Sequence, residues 1–198
     1  VHKAGGVFIA DEVQCGFARS GEKLWGYQRH GIDPDIATMG KPMGNGYPVA
    51  GIAVRHHLVE KFGTDMRYFN TFGGNTVAIA AAQAVWNVIK DEQLQENSRV
   101  VGLHLAAGLR ELAQRHDVIG DVRGRGAMIA VEFVEPGTLT PNATATKAVI
   151  EYCTKRGVVV ISCGTYGNCV RLLPPLIISD EQLDDGLAIF EEAIRSIR

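Results

Sequence analysis

The chain has 198 residues, 46% of them hydrophobic, so it can bury a core and form one large domain or two small ones. Its 20 basic and 22 acidic residues give a formal net charge of −2 and are spread along the chain, which argues against a nucleic-acid or anionic-membrane surface. No apolar stretch of the sequence approaches the roughly 20 residues that a bilayer-spanning helix needs. We therefore expect no nucleic-acid partner and no membrane partner.

The first part of the sequence predicts strands separated by glycine-rich loops. Short apolar runs at 7–10, 36–39 and 49–54 predict buried strands. A longer run at 76–90, apolar on nearly every side, predicts a helix packed inside a large domain. The sequence begins without an initiator Met or a signal-peptide pattern, so we expect it to be part of a longer protein.

The remaining sequence predicts a separate small α+β domain at 93–198, following a first domain part at 1–92. Its last helix begins at a capping signature, Ser179-Asp180-Glu181-Gln182. Before that helix we expect, in chain order, a helix at 94–115, a glycine-rich turn at 119–126, a strand at 127–134, a Pro/Thr-rich linker at 136–144, a helix at 145–156, and strands at 158–162 and 170–173.

The cysteines and histidines predict no metal site. The six histidines contain no H-E-x-x-H group, and the four cysteines contain no C-x-x-C pair. The cysteines are also too few and too irregularly spaced for a disulfide framework, so free thiols in a reducing compartment are expected at Cys15, Cys153, Cys163 and Cys169.

An acid and an amine follow two of the predicted strands. Asp11 ends the first apolar run, and Lys41 closes the second, just before a glycine-rich stretch at 44–46. In an open α/β sheet, ligands bind beyond the carboxyl ends of the strands. Pyridoxal 5′-phosphate (PLP) needs an amine for its aldehyde and an anion for its pyridinium nitrogen, so the pair predicts a PLP site at this edge.

Six motifs, taken together and in order, resemble one protein family. Each carries glycine or a charged residue at a fixed position, and they occupy 9–14, 16–21, 34–41, 71–75, 120–126 and 167–176. The chain resembles, over essentially all of its 198 residues, the C-terminal half of the class III (omega) aminotransferases. This resemblance implies an α/β fold: the end of the large mixed or parallel-sheet domain of a fold type I PLP-transferase, followed by a small α+β domain.

The resemblance also implies roles for residues near the two strand ends. Lys41 is expected to form the Schiff base with PLP and, once released, to move a proton at the substrate carbon. Asp11 is expected to pair with the pyridinium nitrogen, Val13 to lie against the ring face, and Gln14 to contact the ring hydroxyl. From the residues alone, Asp11 could equally be a turn or capping acid, and Gln14 a polar loop residue.

Two further roles follow from the same resemblance. Thr71 is expected to bind the cofactor phosphate of the neighbouring subunit, which implies a homodimer or larger assembly with a shared active site. Arg171 is expected to clamp a substrate carboxylate, because its guanidinium matches a carboxylate with two hydrogen bonds. On residue type alone, Thr71 could instead cap the following helix, and Arg171 could form a structural ion pair.

The implied reaction moves an amino group from an amine or amino acid to a 2-oxo acid. A PLP-dependent phospho-lyase or aminomutase of the same family is one alternative, since 42–48 resembles a branch that includes phospho-lyases while 163–168 resembles the 4-aminobutyrate branch. A non-catalytic structural or dimerisation piece is the other, because the family's upstream half is absent from this sequence. We expect the cytoplasm as the compartment, with the mitochondrial matrix as the alternative in a eukaryote.

Overall fold

The computed structural model describes residues 1–197. They form two compact units, one of residues Val1–Gln95 and a second that starts at Glu96. This division lies close to the predicted boundary between 92 and 93. The identity of the two parts, the end of a cofactor domain and a small C-terminal domain, stays a prediction.

The first unit contains a three-stranded sheet in the order β1 (Ile9–Asp11), β2 (Ile36–Met39) and β3 (Gly51–Val54). β1 runs parallel to β2, with Asp11 opposite Thr38, and β3 runs antiparallel to β2. β2 has its predicted bounds. β1 begins later than predicted because the backbone of Phe8 is bound to Asp35 instead, donating its N–H to Asp35 Oδ2 over 2.8 Å.

Two α-helices complete the first unit, α1 (His56–Asp65) and α2 (Thr76–Asp91). α2 confirms the predicted helix, and Asn75 caps it by accepting hydrogen bonds from the backbone N–H groups of Val77 and Ala78. The expected burial is not found. Within the described residues α2 buries only Ala78 and Ile89, because few elements of this unit pack against it.

The second unit is an antiparallel sheet packed against helices. The sheet has the order β4 (Ile119–Arg125), β5 (Met128–Phe133), β7 (Cys169–Leu172) and β6 (Ile161–Cys163). The helices are α3 (Leu94–Arg115), α4 (Ala143–Lys155) and α5 (Asp180–Arg195). Side chains alternate along β5, and the buried set joins the helices in one apolar core with Leu109, Ile129, Val131, Phe133, Val149, Val170 and Phe190.

The predicted turn at 119–126 is wrong: most of this segment is strand β4. Gly124 allows a close backbone approach within the sheet. A Cβ at Gly124, which has φ of +146°, would lie 2.1 Å from the backbone oxygen of Met128. Arg123 then projects from the strand to form ion pairs with Asp121 and Glu132, as expected of a structural arginine.

Among the helices of residues 1–197, none is both long enough and apolar enough to cross a membrane.

Candidate active site

The parallel pairing of β1 and β2 places a carboxylate beside the end of β2. Asp11, the last residue of β1, accepts hydrogen bonds at Oδ1 from Val13 N (3.1 Å) and from Thr38 Oγ1 (3.2 Å). Both hydrogen bonds therefore end at Oδ1. Asp11 is exposed, so its Oδ2 is open to a further donor.

Glu12, the next residue, has the opposite environment. It is 2% exposed and accepts the backbone N–H groups of Gly26 (2.7 Å) and Tyr27 (2.9 Å), which begin a short 3-10 helix. Its carboxylate therefore ties the start of that 3-10 helix to the end of β1. Glu12 was not among the residues predicted from the sequence, although the alternation of side chains along a strand marks it as the inward neighbour of an outward Asp11.

Lys41 lies just beyond the end of β2, in a backbone conformation that L-residues rarely adopt. Its φ is +40°, between an extended Gly40 and Pro42, and it begins a 3-10 helix at Lys41–Met43. Such left-handed conformations cost energy and concentrate at functional sites. The Lys41 side chain is exposed at the same edge of the sheet as Asp11.

Val13 connects the two strand ends. A methyl group at Gly40 would lie 3.9 Å from Val13 Cγ2, so the half-buried Val13 side chain lies against the backbone that leads into Lys41. Gln14 follows in the same turn and is exposed. The structure thus gathers Asp11, Val13 and Lys41 around the ends of β1 and β2.

Thr71 lies in an exposed turn before α2. The turn is ordered by Asn70, whose Oδ1 accepts the N–H groups of Phe72 and Gly73 at 3.0 Å each. Because Asn75 caps α2, the alternative that Thr71 serves as the cap is wrong. α2 packs against the 3-10 helix that starts at Lys41, and this contact ties the end of the turn to the lysine.

Arg171 belongs to the second unit. It is half-buried at the third position of β7, opposite Ala130 of β5 and Ile161 of β6. Its neighbours Val170 and Leu172 face the helical core, so Arg171 projects from the other face of the sheet.

Cys15 follows Asp11 in the turn after β1 and carries a thiol. Burial, and then the hydrogen bond to Glu12, raises the pKa of the Cys15 thiol to about 11, so it stays protonated at neutral pH. Across the described residues 1–197, no group of three His, Cys, Asp or Glu side chains is arranged to hold a metal ion.

Comparison with known proteins identifies the family. A family model described as "Aminotransferase class-III" matches residues 1–194. The chain is 45% identical over 185 residues to an alanine–glyoxylate aminotransferase 2 homolog of Arabidopsis thaliana described as mitochondrial, covering 93% of the chain. It is 42% identical over 193 residues to 5-aminovalerate aminotransferase DavT of Pseudomonas putida, covering 98% of the chain.

A solved structure confirms the fold. The chain superposes with a TM-score of 0.96, at 37% identity and over 100% of its length, on a phospholyase from Arthrobacter in complex with phosphoethanolamine. The predicted fold, the second part of a fold type I PLP-transferase, is thus confirmed. The chain spans 38% and 45% of the two aminotransferases and 47% of the phospholyase chain. With its family model matched almost from end to end, the chain belongs to the class-III aminotransferases.

Proposed function

We propose that the protein is a PLP-dependent aminotransferase that moves an amino group from an amine or amino acid to a 2-oxo acid. The observation that carries this proposal is the parallel register of β1 and β2, in which Asp11 lies opposite Thr38, three positions before Lys41. The amine and the carboxylate that PLP requires thereby lie at one edge of the sheet. Family membership and the two aminotransferase relatives support the same reaction.

The residues at this edge fit PLP. Lys41 Nζ is an exposed primary amine, suited to a Schiff base with the cofactor aldehyde. Asp11 presents Oδ2 to a protonated ring nitrogen while Oδ1 is held by Thr38 and Val13. Val13 offers an apolar side chain beside the lysine backbone for the ring face. We assign Gln14, in the same turn, to the ring hydroxyl.

Each residue has a defined task in the proposed reaction. PLP, when bound, supplies an electron sink for the charge that develops when the substrate carbon loses its proton. Asp11 keeps the ring nitrogen protonated through its negative charge. Lys41 Nζ would hold the cofactor and, as a free amine, would accept the proton from the substrate carbon.

The remaining roles concern substrate, subunit and compartment. We assign the substrate carboxylate to Arg171 and the phosphate of a neighbouring subunit to Thr71, so the working unit is a homodimer or larger assembly with a shared site. The exposure of Thr71 is compatible with such a contact. We place the activity in the cytoplasm, with the mitochondrial matrix as the alternative because one relative is described as mitochondrial.

The test is reduction with borohydride in the presence of PLP, followed by tryptic peptide mapping. Because Pro42 follows Lys41, trypsin does not cut there, and the peptide 30–55 contains Lys41 as its only lysine. We expect one pyridoxyl adduct, on this peptide. Lys41→Ala should lose it, whereas the control Lys61→Ala, which changes an exposed lysine of α1, should keep it.

A stable adduct on several surface lysines, or none on 30–55, would show that this chain alone does not form the site around Lys41. That result would favour the alternative in which the chain is a structural piece. Repeating the reduction after mixing with the upstream half of a class-III aminotransferase then separates the two cases, because a site completed by both halves gains the Lys41 adduct only in the mixture.

A phospho-lyase is the second candidate function. It is favoured by the TM-score of 0.96 with a phospholyase bound to phosphoethanolamine. An amino-alcohol phosphate as substrate distinguishes the two reactions. Release of inorganic phosphate without a 2-oxo acid would show a lyase, whereas amino transfer to pyruvate or 2-oxoglutarate without phosphate release would show an aminotransferase.

A further inference from the structure

Two cysteines of the second unit lie directly opposite each other in the sheet. β6 and β7 pair antiparallel with Cys163 as the partner of Cys169, the last and first residues of the two strands. Opposite residues of an antiparallel pair project their side chains from the same face. Both side chains therefore stand on the face that also carries Arg171, two residues beyond Cys169.

The spacing of this pair suits a disulfide bond. Opposite Cα atoms of an antiparallel pair are about 4.5–5.5 Å apart, and the disulfide range is about 4.4–6.8 Å. The Cys169 thiol also leans toward the connecting loop: a Cβ at Gly164, the residue after Cys163, would lie 3.3 Å from Cys169 Sγ. The bond can thus form without a change of strand register.

The two thiols differ in access. Cys169 is 3% exposed, and its Sγ lies 3.5 Å from Arg123 Nη2, which donates to it. Burial, with the nearby Glu132 carboxylate, raises the pKa of the Cys169 thiol despite this arginine. Cys163 is only half-buried. An incoming reagent therefore meets Cys163 first, and Cys169 can react only with a group already attached to its neighbour.

We propose that Cys163 and Cys169 form a reversible dithiol–disulfide pair that is oxidised by a low-molecular-weight disulfide of the glutathione class. The other two cysteines lack an opposite thiol. Cys153 is fully buried in α4, and Cys15 lies in the first unit. The disulfide between these two cysteines can form without PLP and does not depend on the proposed reaction.

The exchange proceeds in two balanced steps. The Cys163 thiol loses its proton to solvent, and its sulfur attacks one sulfur of the small disulfide, breaking that S–S bond and releasing one small thiolate, which takes up a proton. Cys169 then loses its proton and attacks Cys163 Sγ, releasing the second small thiol and forming the Cys163–Cys169 bond. The two cysteines lose two electrons, and the small disulfide gains them.

Peptide mapping tests this directly, because both cysteines lie in one tryptic peptide, 157–171. The folded protein is incubated with oxidised glutathione, denatured, and alkylated without reduction. We expect peptide 157–171 to lose both alkyl groups together and to be lighter by two hydrogens than the unmodified peptide. Peptides 4–19 and 148–155, which carry Cys15 and Cys153, should stay alkylated. Reduction with dithiothreitol should restore both alkyl groups.

Two variants assign the order of attack. Cys169→Val should trap one glutathione on Cys163, since the resolving thiol is absent. Cys163→Ser should leave Cys169 unmodified, since the buried thiol is not reached. Circular dichroism of both variants checks that the fold is kept. Stable glutathionylation of Cys163 in the unmutated protein, with Cys169 still alkylated, would overturn the proposal, as would disulfides that join two chains.

Discussion

Two adjacent acids of opposite exposure define the chemistry at the end of β1. Asp11 points to solvent with one oxygen open, and Glu12 is buried on two backbone N–H groups. This arrangement separates the group proposed to act on the cofactor from the group that holds the loop. Substitutions at the two positions should therefore affect different measurements.

Replacing Asp11 by Asn should lower activity without lowering stability. The amide oxygen can still accept from Thr38 and Val13, but the negative charge beside the ring nitrogen is lost. We expect kcat/KM for amino transfer to fall by on the order of 100-fold or more. The free energy of unfolding in urea should change by less than about 0.5 kcal/mol, because the side chain is exposed.

Asp65→Asn is the matched control for this variant. Asp65 is an exposed aspartate at the end of α1 that bonds the side chain of Thr64. Its replacement should leave both kcat/KM and stability unchanged. An Asp11→Asn variant with full activity would show that the ring nitrogen is not paired with this carboxylate.

Replacing Glu12 by Ala should lower stability. The change removes the acceptors of the part-buried N–H groups of Gly26 and Tyr27, which costs about 1–3 kcal/mol of unfolding free energy. Glu12→Gln keeps one acceptor oxygen and should lose less. Urea denaturation followed by circular dichroism measures both, and equal losses for Ala and Gln would show that the charge, not the pair of hydrogen bonds, is what matters.

Asp35 gives the fold a predictable response to acid. The hydrogen bond from Phe8 N–H, then the contact with His2, lowers the pKa of the Asp35 carboxyl below its ordinary value. A carboxyl with a lower pKa in the folded state stabilises the fold above its unfolded pKa of about 3.9, and this contribution disappears as the pH falls through the lower folded value.

The Asp35→Asn variant should therefore be less stable than the unmutated protein at neutral pH, and the difference should narrow as the pH falls to about 2. Urea midpoints measured across this range provide the comparison. Asp33→Asn, at a side chain that is 89% exposed, is the control and should give a parallel curve. A gap between the Asp35 variant and the unmutated protein that stays constant with pH would contradict this assignment.

At the scale of single residues, the sequence predicted the candidate catalytic residues but not the hydrogen bonds that hold the loops around them. Asp11 and Lys41 could be selected because an acid and an amine at the ends of apolar runs are unusual in that position. Alternation along β1 marks Glu12 as inward-facing, but the partners of Glu12 and Asp35 are backbone N–H groups of distant segments, 26–27 and residue 8, that no local pattern connects to them.

At the scale of the element, glycines set how closely backbones approach. A Cβ at Gly102 of α3 would lie 2.2 Å from the backbone oxygen of Gly126, in the turn between β4 and β5. A Cβ at Gly186 of α5 would meet no atom within 4 Å. Gly102 is therefore required by a close backbone contact, whereas no contact requires a glycine at position 186.

Alanine substitution should separate them. Gly102→Ala should lower the free energy of unfolding by about 1–3 kcal/mol or more, because a backbone must move to admit the methyl group. Gly186→Ala should raise it by about 0.5–1 kcal/mol, because alanine favours the helix and meets open space. Thermal and urea unfolding of the two variants test this pair, and a stable Gly102→Ala protein would mean that α3 does not press on this turn.

The same glycines explain which elements could be predicted from sequence. The helix at 94–115 was predicted with its observed bounds because its apolar residues recur at helical spacing. β4 was missed because Gly120, Gly124 and Gly126 suggest a turn. The close approach of Gly124 to β5, and of Gly126 to Gly102 of α3, becomes visible only when those elements are in place.

At the scale of the whole molecule, the two units differ in how completely their apolar side chains are buried. The second unit has a continuous apolar core in which Val131 and Phe133 are 0% exposed. In the first unit Ile52 of β3 and Val77 of α2 are 66% and 58% exposed. The chain spans less than half the length of the two aminotransferase relatives.

Hydrogen exchange should report this difference. Amides of β5 should exchange most slowly, because their opening requires disruption of the core, whereas amides of β3 and α2 should exchange faster. Mass spectrometry of peptides from the two units gives the comparison within one sample. Equal protection of β3 and β5 would show that the first unit is as well supported as the second.

The roles of Asp11 and Glu12 depend on the order of the two acids in the sequence. Exchanging Asp11 and Glu12 would preserve the composition, net charge and isoelectric point of the chain. A sequence comparison that treats the two acids as equivalent would score the exchange as minor. In the molecule it would put a shorter carboxylate under the Gly26–Tyr27 turn and a longer one at the solvent edge. The order of the two acids, and not only their presence, therefore determines which carboxylate accepts the N–H groups of Gly26 and Tyr27.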